Sequence, residues 1–144
     1  MPKFTDAKSR EWNLSITATS LRNVKPEKFG GVNLGKPDGG QLFAQLADPM
    51  LMVDLCFALC ESQARAAGVD ADSFGDGMAG QVIEDARRAL VTAVIEFQPA
   101  RNWGYLRLVA DTIERAEAIA LESVTEKFKS GEIDRAVAAA LAAQ

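Results

Sequence analysis

Apolar and polar positions follow two rhythms along this chain. Near the start, Trp12, Leu14 and Ile16 alternate with polar residues, the period of a half-buried strand. Phe4 and Thr5 precede it, and the polar cluster Asp6-Ala7-Lys8-Ser9 separates the two runs. A β-hairpin over residues 1–16 is therefore predicted. Two strands are marginal alone, so their apolar face must lie on helices. From residue 18 onward the period is helical. Thr17 or Thr19 caps a short helix over about 18–24, which Pro26 stops by disfavouring helical geometry at Lys25. Residues 25–40 hold Gly30-Gly31, Gly35, Gly39-Gly40, Pro26 and Pro37. They are expected to form a flexible loop. A short helix over 41–47 would bury Leu42, Phe43 and Leu46.

The strongest helix signal is Asp48-Pro49, an N-cap oxygen followed by proline at the first helical position. The helix should run to Ala67 and stop at Gly68. Its first three turns are apolar nearly all round, as expected of a central core helix. Asp70 can cap a short second helix, with Val69 and Phe74 placed as a hydrophobic staple. A long helix over 80–97 follows, its stripe made by Ile83, Leu90, Val94 and Phe97, until Pro99 breaks the pattern. The last long helix spans 100–129. Leu106, Val109, Ile113, Ala116, Ala120 and Val124 give it an inward face. Beyond Gly131, the residues Ile133, Val137 and Leu141 recur every four positions in an Ala-rich tail, either a docking helix or a frayed end. The fold class predicted is mainly α (α+β): a short N-terminal β-hairpin packed on a bundle of about four to five helices. No repeat or linker divides residues 1–144, which are expected to form a single domain: hairpin and short helix (1–24), flexible loop (25–40), helical core (41–130) and helical tail (131–144).

Composition narrows the chemistry. The chain has 144 residues and a net charge of −4, so bulk attraction to nucleic acid is not expected. It has no histidine, which removes the commonest general base and metal ligand. No apolar leader opens the chain, and the run Met50–Cys60 is too short to span a bilayer. These features predict a cytoplasmic protein with no membrane contact. Charge is uneven: residues 1–30 carry a net +3, residues 48–85 a net −7, and residues 86–144 balance. Such separation suits either head-to-tail contact or plain solvated surface.

Candidate sites are few. Cys56 and Cys60 lie four apart on one helix face. No further Cys or His completes a zinc site, and an intrahelical bridge at that spacing has poor geometry. Buried free thiols are the simpler reading. Asp70, Asp72 and Gly75 match three positions of a calcium loop, but Phe74 and Gln81 stand where oxygen ligands belong, and helix capping accounts for the acids. The glycines at 30–40 match no phosphate-binding pattern. Asp54, within the core helix, is placed on its one polar line with Glu61. No catalytic, cofactor-binding or metal-binding residue emerges, and no enzymatic activity is expected. Trp103, beside Arg101 and Tyr105, is either a core anchor or an exposed contact residue.

Several of these segments resemble small tail assembly chaperone-like proteins of bacteriophages and prophages. The residues that carry the resemblance are Ser9-Arg10-Glu11-Trp12 on the strand, Asp48-Pro49 with Val53-Asp54-Leu55, and the set Phe74, Met78, Gly80, Ile83, Glu84 and Ala86. Phe97-Gln98-Pro99 closes the pattern, with Gln98 a departure, and the 25–40 insertion is longer than that family's. The resemblance covers about residues 3–99. It implies a non-enzymatic protein of the host cytoplasm that coats apolar segments of a tape measure protein, often as a homo-oligomer. A client groove is then expected between the 49–67 and 80–97 helices, with Phe74, Met78, Ile83 and Leu90 as contacts and Trp103 as a further partner-binding residue. A structural virion component, such as a head–tail or tail accessory protein acting by packing, is the alternative.

Overall fold

A computed structural model describes residues 2–143, apart from the side chain of Ile133. It is mainly α-helical with one small hairpin. The strands are β1 (Lys3–Thr5) and β2 (Glu11–Asn13), and the helices are α1 (Ala18–Leu21), α2 (Gln41–Gln45), α3 (Pro49–Ala67), α4 (Ala71–Asp76), α5 (Gln81–Phe97), α6 (Trp103–Lys129) and α7 (Glu132–Ala142). The chain divides into two compact units, Met1–Ala110 and Asp111–Gln144. The division falls inside α6, where no Pro, Gly or Ser run marks the sequence.

In the first unit, β1 and β2 pair antiparallel with Phe4 opposite Trp12. Both side chains are buried, as is Leu14 two residues on, so the alternation does set the inward face. β1 packs on α5, and β2 on α3. α3 begins and ends as its sequence dictates. The Asp48 carboxylate accepts from the backbone N–H of Met50 and Leu51, and Gly68 closes the helix in the left-handed conformation. Its core face is Met52, Leu55, Cys56, Leu59, Cys60 and Ala64, whereas Asp54 is exposed. α5 supplies the facing layer, with Ala86, Leu90, Ala93 and Val94 buried against α3 and the hairpin. The small alanines let these elements approach closely.

The segment at 25–40 departs from expectation. Its glycines do adopt left-handed turns at Gly30, Gly31, Gly39 and Gly40. Between those turns, however, Val32 and Leu34 are buried in the core. The Gln98 side-chain amide also donates to the Gly35 carbonyl at 2.9 Å. Two apolar anchors spaced by one polar residue hold the loop in place, which its glycine content conceals.

The second unit is helical, comprising the remainder of α6 and α7. Gly131, in the left-handed conformation, separates them. Ser130 and Gly131 donate backward to the Glu126 and Phe128 carbonyls, closing α6.

Candidate protein-binding surface

The hairpin turn is densely hydrogen-bonded. The Asp6 side chain is fully buried. Its Oδ1 accepts from the backbone N–H groups of Lys8 at 2.9 Å and Arg10 at 3.0 Å. Its Oδ2 accepts from Arg10 Nε at 2.8 Å and from the Trp12 indole N–H at 2.9 Å. Burial alone would raise the Asp6 carboxyl, but the donors on Trp12, Arg10 and Lys8 outweigh it and hold the group below its ordinary value. Arg10 Nη2 reaches on to the Ser73 carbonyl at 2.8 Å. The Ala7 N–H donates to the Gly77 carbonyl at 3.0 Å. Ser9 turns the chain with φ +61°, a conformation open to few residues other than glycine and asparagine. Asp6, Arg10 and Trp12 thus clamp the hairpin onto the C-terminal end of α4.

Phe74 lies inside this clamp. Its ring meets Trp12 edge-on at 5.1 Å and Phe57 at 5.3 Å. That geometry corrects the expectation of a client groove. Phe74, Met78 and Leu90 are buried at 1%, 7% and 0% exposure, and α3 and α5 pack directly on each other. The buried apolar faces of the two helices are thus spent on the core. Ile83 is half-buried. Trp103, the remaining expected contact, is 41% exposed at the first position of α6, and its indole N–H donates to the Gln98 carbonyl at 2.7 Å. Tyr105 and Leu108 stand exposed further along the same helix.

Cys56 and Cys60 are free and buried. Burial pushes the Cys60 thiol up to about 12, and burial together with the Cys60 charge raises Cys56 well above its usual value. Neither is poised as a nucleophile. Asp70 accepts from the Ser73 N–H at 2.8 Å as a helix cap. Among the described residues, no three His, Cys, Asp or Glu side chains cluster as a metal site, and no helix is long and apolar enough to cross a membrane. An open depression of about 340 Å³ lies over Pro2, Lys3, Asp85, Arg88, Ala89 and Thr92.

The apolar side chains without cover are concentrated elsewhere. The stripe on α6 starts in the core with Leu106 and Ala110, continues half-buried through Val109 and Ile113, and then emerges. Ala116, Ala120 and Val124, expected to face inward, are exposed. Leu121, Val124 and Phe128 follow one another at i, i+3 and i+7, with exposures of 68%, 45% and 54%, so they share one helix face. On α7, Val137 and Leu141 are exposed four residues apart, and the side chain of Ile133, assigned to the same face, lies outside the described residues. Each helix of the second unit therefore presents an apolar face to solvent. Leu121 and Phe128 escaped the sequence reading. They fall just outside the stripe drawn through Leu106 and Val124, and an eleven-residue spacing would have joined Leu106 to Phe128 and Ala110 to Leu121. Comparison with protein-family models, curated proteins and solved structures gives no match.

Proposed function

We propose that this protein is a non-catalytic, protein-binding factor of the tail assembly chaperone type, whose client-binding surface lies on the helices of the second unit, within residues 111–143. The observation that carries the reading is the exposed apolar face Leu121, Val124 and Phe128 on α6, together with Val137 and Leu141 on α7. A monomer gains nothing by presenting large aliphatic and aromatic groups in helical register to water. An amphipathic client helix would cover them through spaced apolar anchors. Tape measure proteins, the clients implied by the resemblance, are long helical chains, and transient cover by these helices would keep such a chain apart from its neighbours before assembly.

The test is co-expression of the full chain with a tape measure protein encoded beside it. The native chain keeps that client soluble and co-purifies with it, while Leu121→Glu and Phe128→Asp release it. Retention of the client by both variants, or failure of the native chain to bind it, overturns the reading.

A further inference from the structure

The apolar positions on the two sides of Gly131 mirror one another. α6 closes at Lys129 and α7 opens at Glu132, so Ser130 and Gly131 alone join them. A link of two residues is enough for an αα-hairpin. Suppose α7 is laid antiparallel on α6 about that link. With an equal rise per residue in both helices, Val124 stands level with Val137, and Phe128 level with position 133, an isoleucine in the sequence. Leu141 stands level with Ala120, within about 1.5 Å of Leu121 along the axis. Each large apolar group on the exposed face of α6 is thus matched by one from α7. The step of about 100° per residue turns the charged residues of 119–142 to the flanks or the outer faces, so closing the seam buries no charge. The pivot is Gly131. It stands at φ +80° and opens α7 with no side-chain cap, and glycine reaches more backbone conformations than any other residue. Terminal positions of this kind absorb the rotation of a hinge.

We propose that α7 is a lid for the α6 face: it folds back about Ser130-Gly131 and covers Leu121, Val124 and Phe128 with Leu141, Val137 and position 133. The structure shows the open state, in which Leu121, Val124, Phe128, Val137 and Leu141 all meet water. Closure takes these groups out of water, a driving force that the open state leaves unused. The short link gives α7 a high effective concentration at the face, so in dilute protein the lid closes before a second copy arrives. The lid belongs to the free chain and does not rest on the client reading. A client for the α6 face would compete with α7 for it.

Disulfide trapping in the full chain tests the lid without any client. Cys56 and Cys60 are buried, so thiols introduced at the surface are the reactive ones. V124C/V137C places one thiol on each side of the seam, and E122C/A139C places a level pair on the outer faces. In dilute protein under mild oxidant, the seam pair links within one chain about tenfold faster than the outer pair, the ratio for a closed state favoured by about 1.4 kcal/mol. Gly131→Ala favours a helix running straight through this point, because alanine is strained in the left-handed conformation, and it slows the seam link. No link in V124C/V137C, a link chiefly between chains, equal rates for the seam and outer pairs, or a seam link indifferent to Gly131→Ala overturns the proposal.

Discussion

Asp6→Asn is the most demanding perturbation of the first unit. The substitution preserves size and leaves one oxygen for the backbone donors of Lys8 and Arg10. It replaces the other oxygen with an amide that faces two donors, Arg10 Nε at 2.8 Å and the Trp12 indole at 2.9 Å. Both bonds are lost, and Arg10 keeps only the Ser73 carbonyl. Bonds to a charged acceptor contribute about 1.5–3 kcal/mol each, and breaking a buried ion pair on one side costs about 3–5 kcal/mol. Arg10 retains some solvent, with its side chain 24% exposed, so the expected loss is about 3 kcal/mol, near the low end of that range. For a chain of this size that lowers the melting temperature by roughly 6–12 °C. The pH dependence follows from the depressed carboxyl. A group whose folded value lies below its unfolded value stabilises the fold above the unfolded value, and that stability is lost as pH falls through the folded one. The gap between native and Asp6→Asn chains is therefore full at pH 7 and shrinks as pH falls below the ordinary carboxyl value of 3.8. Urea unfolding followed by Trp fluorescence at pH 7 and at stepwise lower pH measures both effects. A loss under about 1 kcal/mol at pH 7, or a gap that acid leaves unchanged, would refute the role given to Asp6.

Gly77→Ala tests the same clamp from the other side. A Cβ there would lie 2.9 Å from Asp6 Oδ2 and 3.1 Å from Arg10 Nη2, so a destabilisation of about 1–3 kcal/mol is expected in chemical denaturation. The cysteines should resist a thiol reagent at pH 8 in the native protein and react at once in denaturant, since both are fully buried, Cys60 is pushed up to about 12 and Cys56 is raised well above its usual value. Because the folded thiols hold their protons where unfolded ones lose them, native stability should fall as pH rises past the usual thiol value of 9.0, and Cys60→Ala should flatten that decline in a melting series. Leu121→Glu, exposed on α6, should change the unfolding free energy of the first unit by less than about 0.5 kcal/mol, whereas Leu55→Ala in the core should cost about 2–5 kcal/mol.

What the sequence disclosed is mostly local. Asp48-Pro49 and Gly68 set the bounds of α3 because caps act within one turn, and the Trp12–Leu14 alternation identified the buried face because strand period is independent of the partner. What escaped it depends on partners distant in the chain. Asp6 looked like an ordinary turn residue, since its importance comes from Trp12 folding back over it and from Arg10 reaching Ser73. Nothing local marks Gly77, although its missing side chain makes room for the Asp6 carboxylate. The 25–40 loop was misjudged because two apolar anchors, Val32 and Leu34, decide its placement and five glycines dominate its composition. The candidate site moved furthest. Apolar spacing shows which residues share a helix face, but not whether a neighbouring helix already covers it, and so Phe74 and Leu90 were expected at a surface while Val124 was expected inside. The residues that carry the family resemblance on the strand, Ser9, Arg10 and Trp12, prove to be parts of a structural clamp.

The position of that clamp in the chain constrains the order of folding. Arg10 and Ser73 are separated by 63 residues, and β1 packs on α5, which ends at Phe97. β1 precedes α5 in the chain and therefore remains without its supporting surface until α5 exists. Closing so long a loop precedes any gain from the buried carboxylate or the Trp12–Phe74 contact, so the clamp should form late, and the rate of its formation should limit folding of the first unit. During that interval Phe4, Trp12 and Leu14, all buried in the folded unit, are uncovered in a newly made chain.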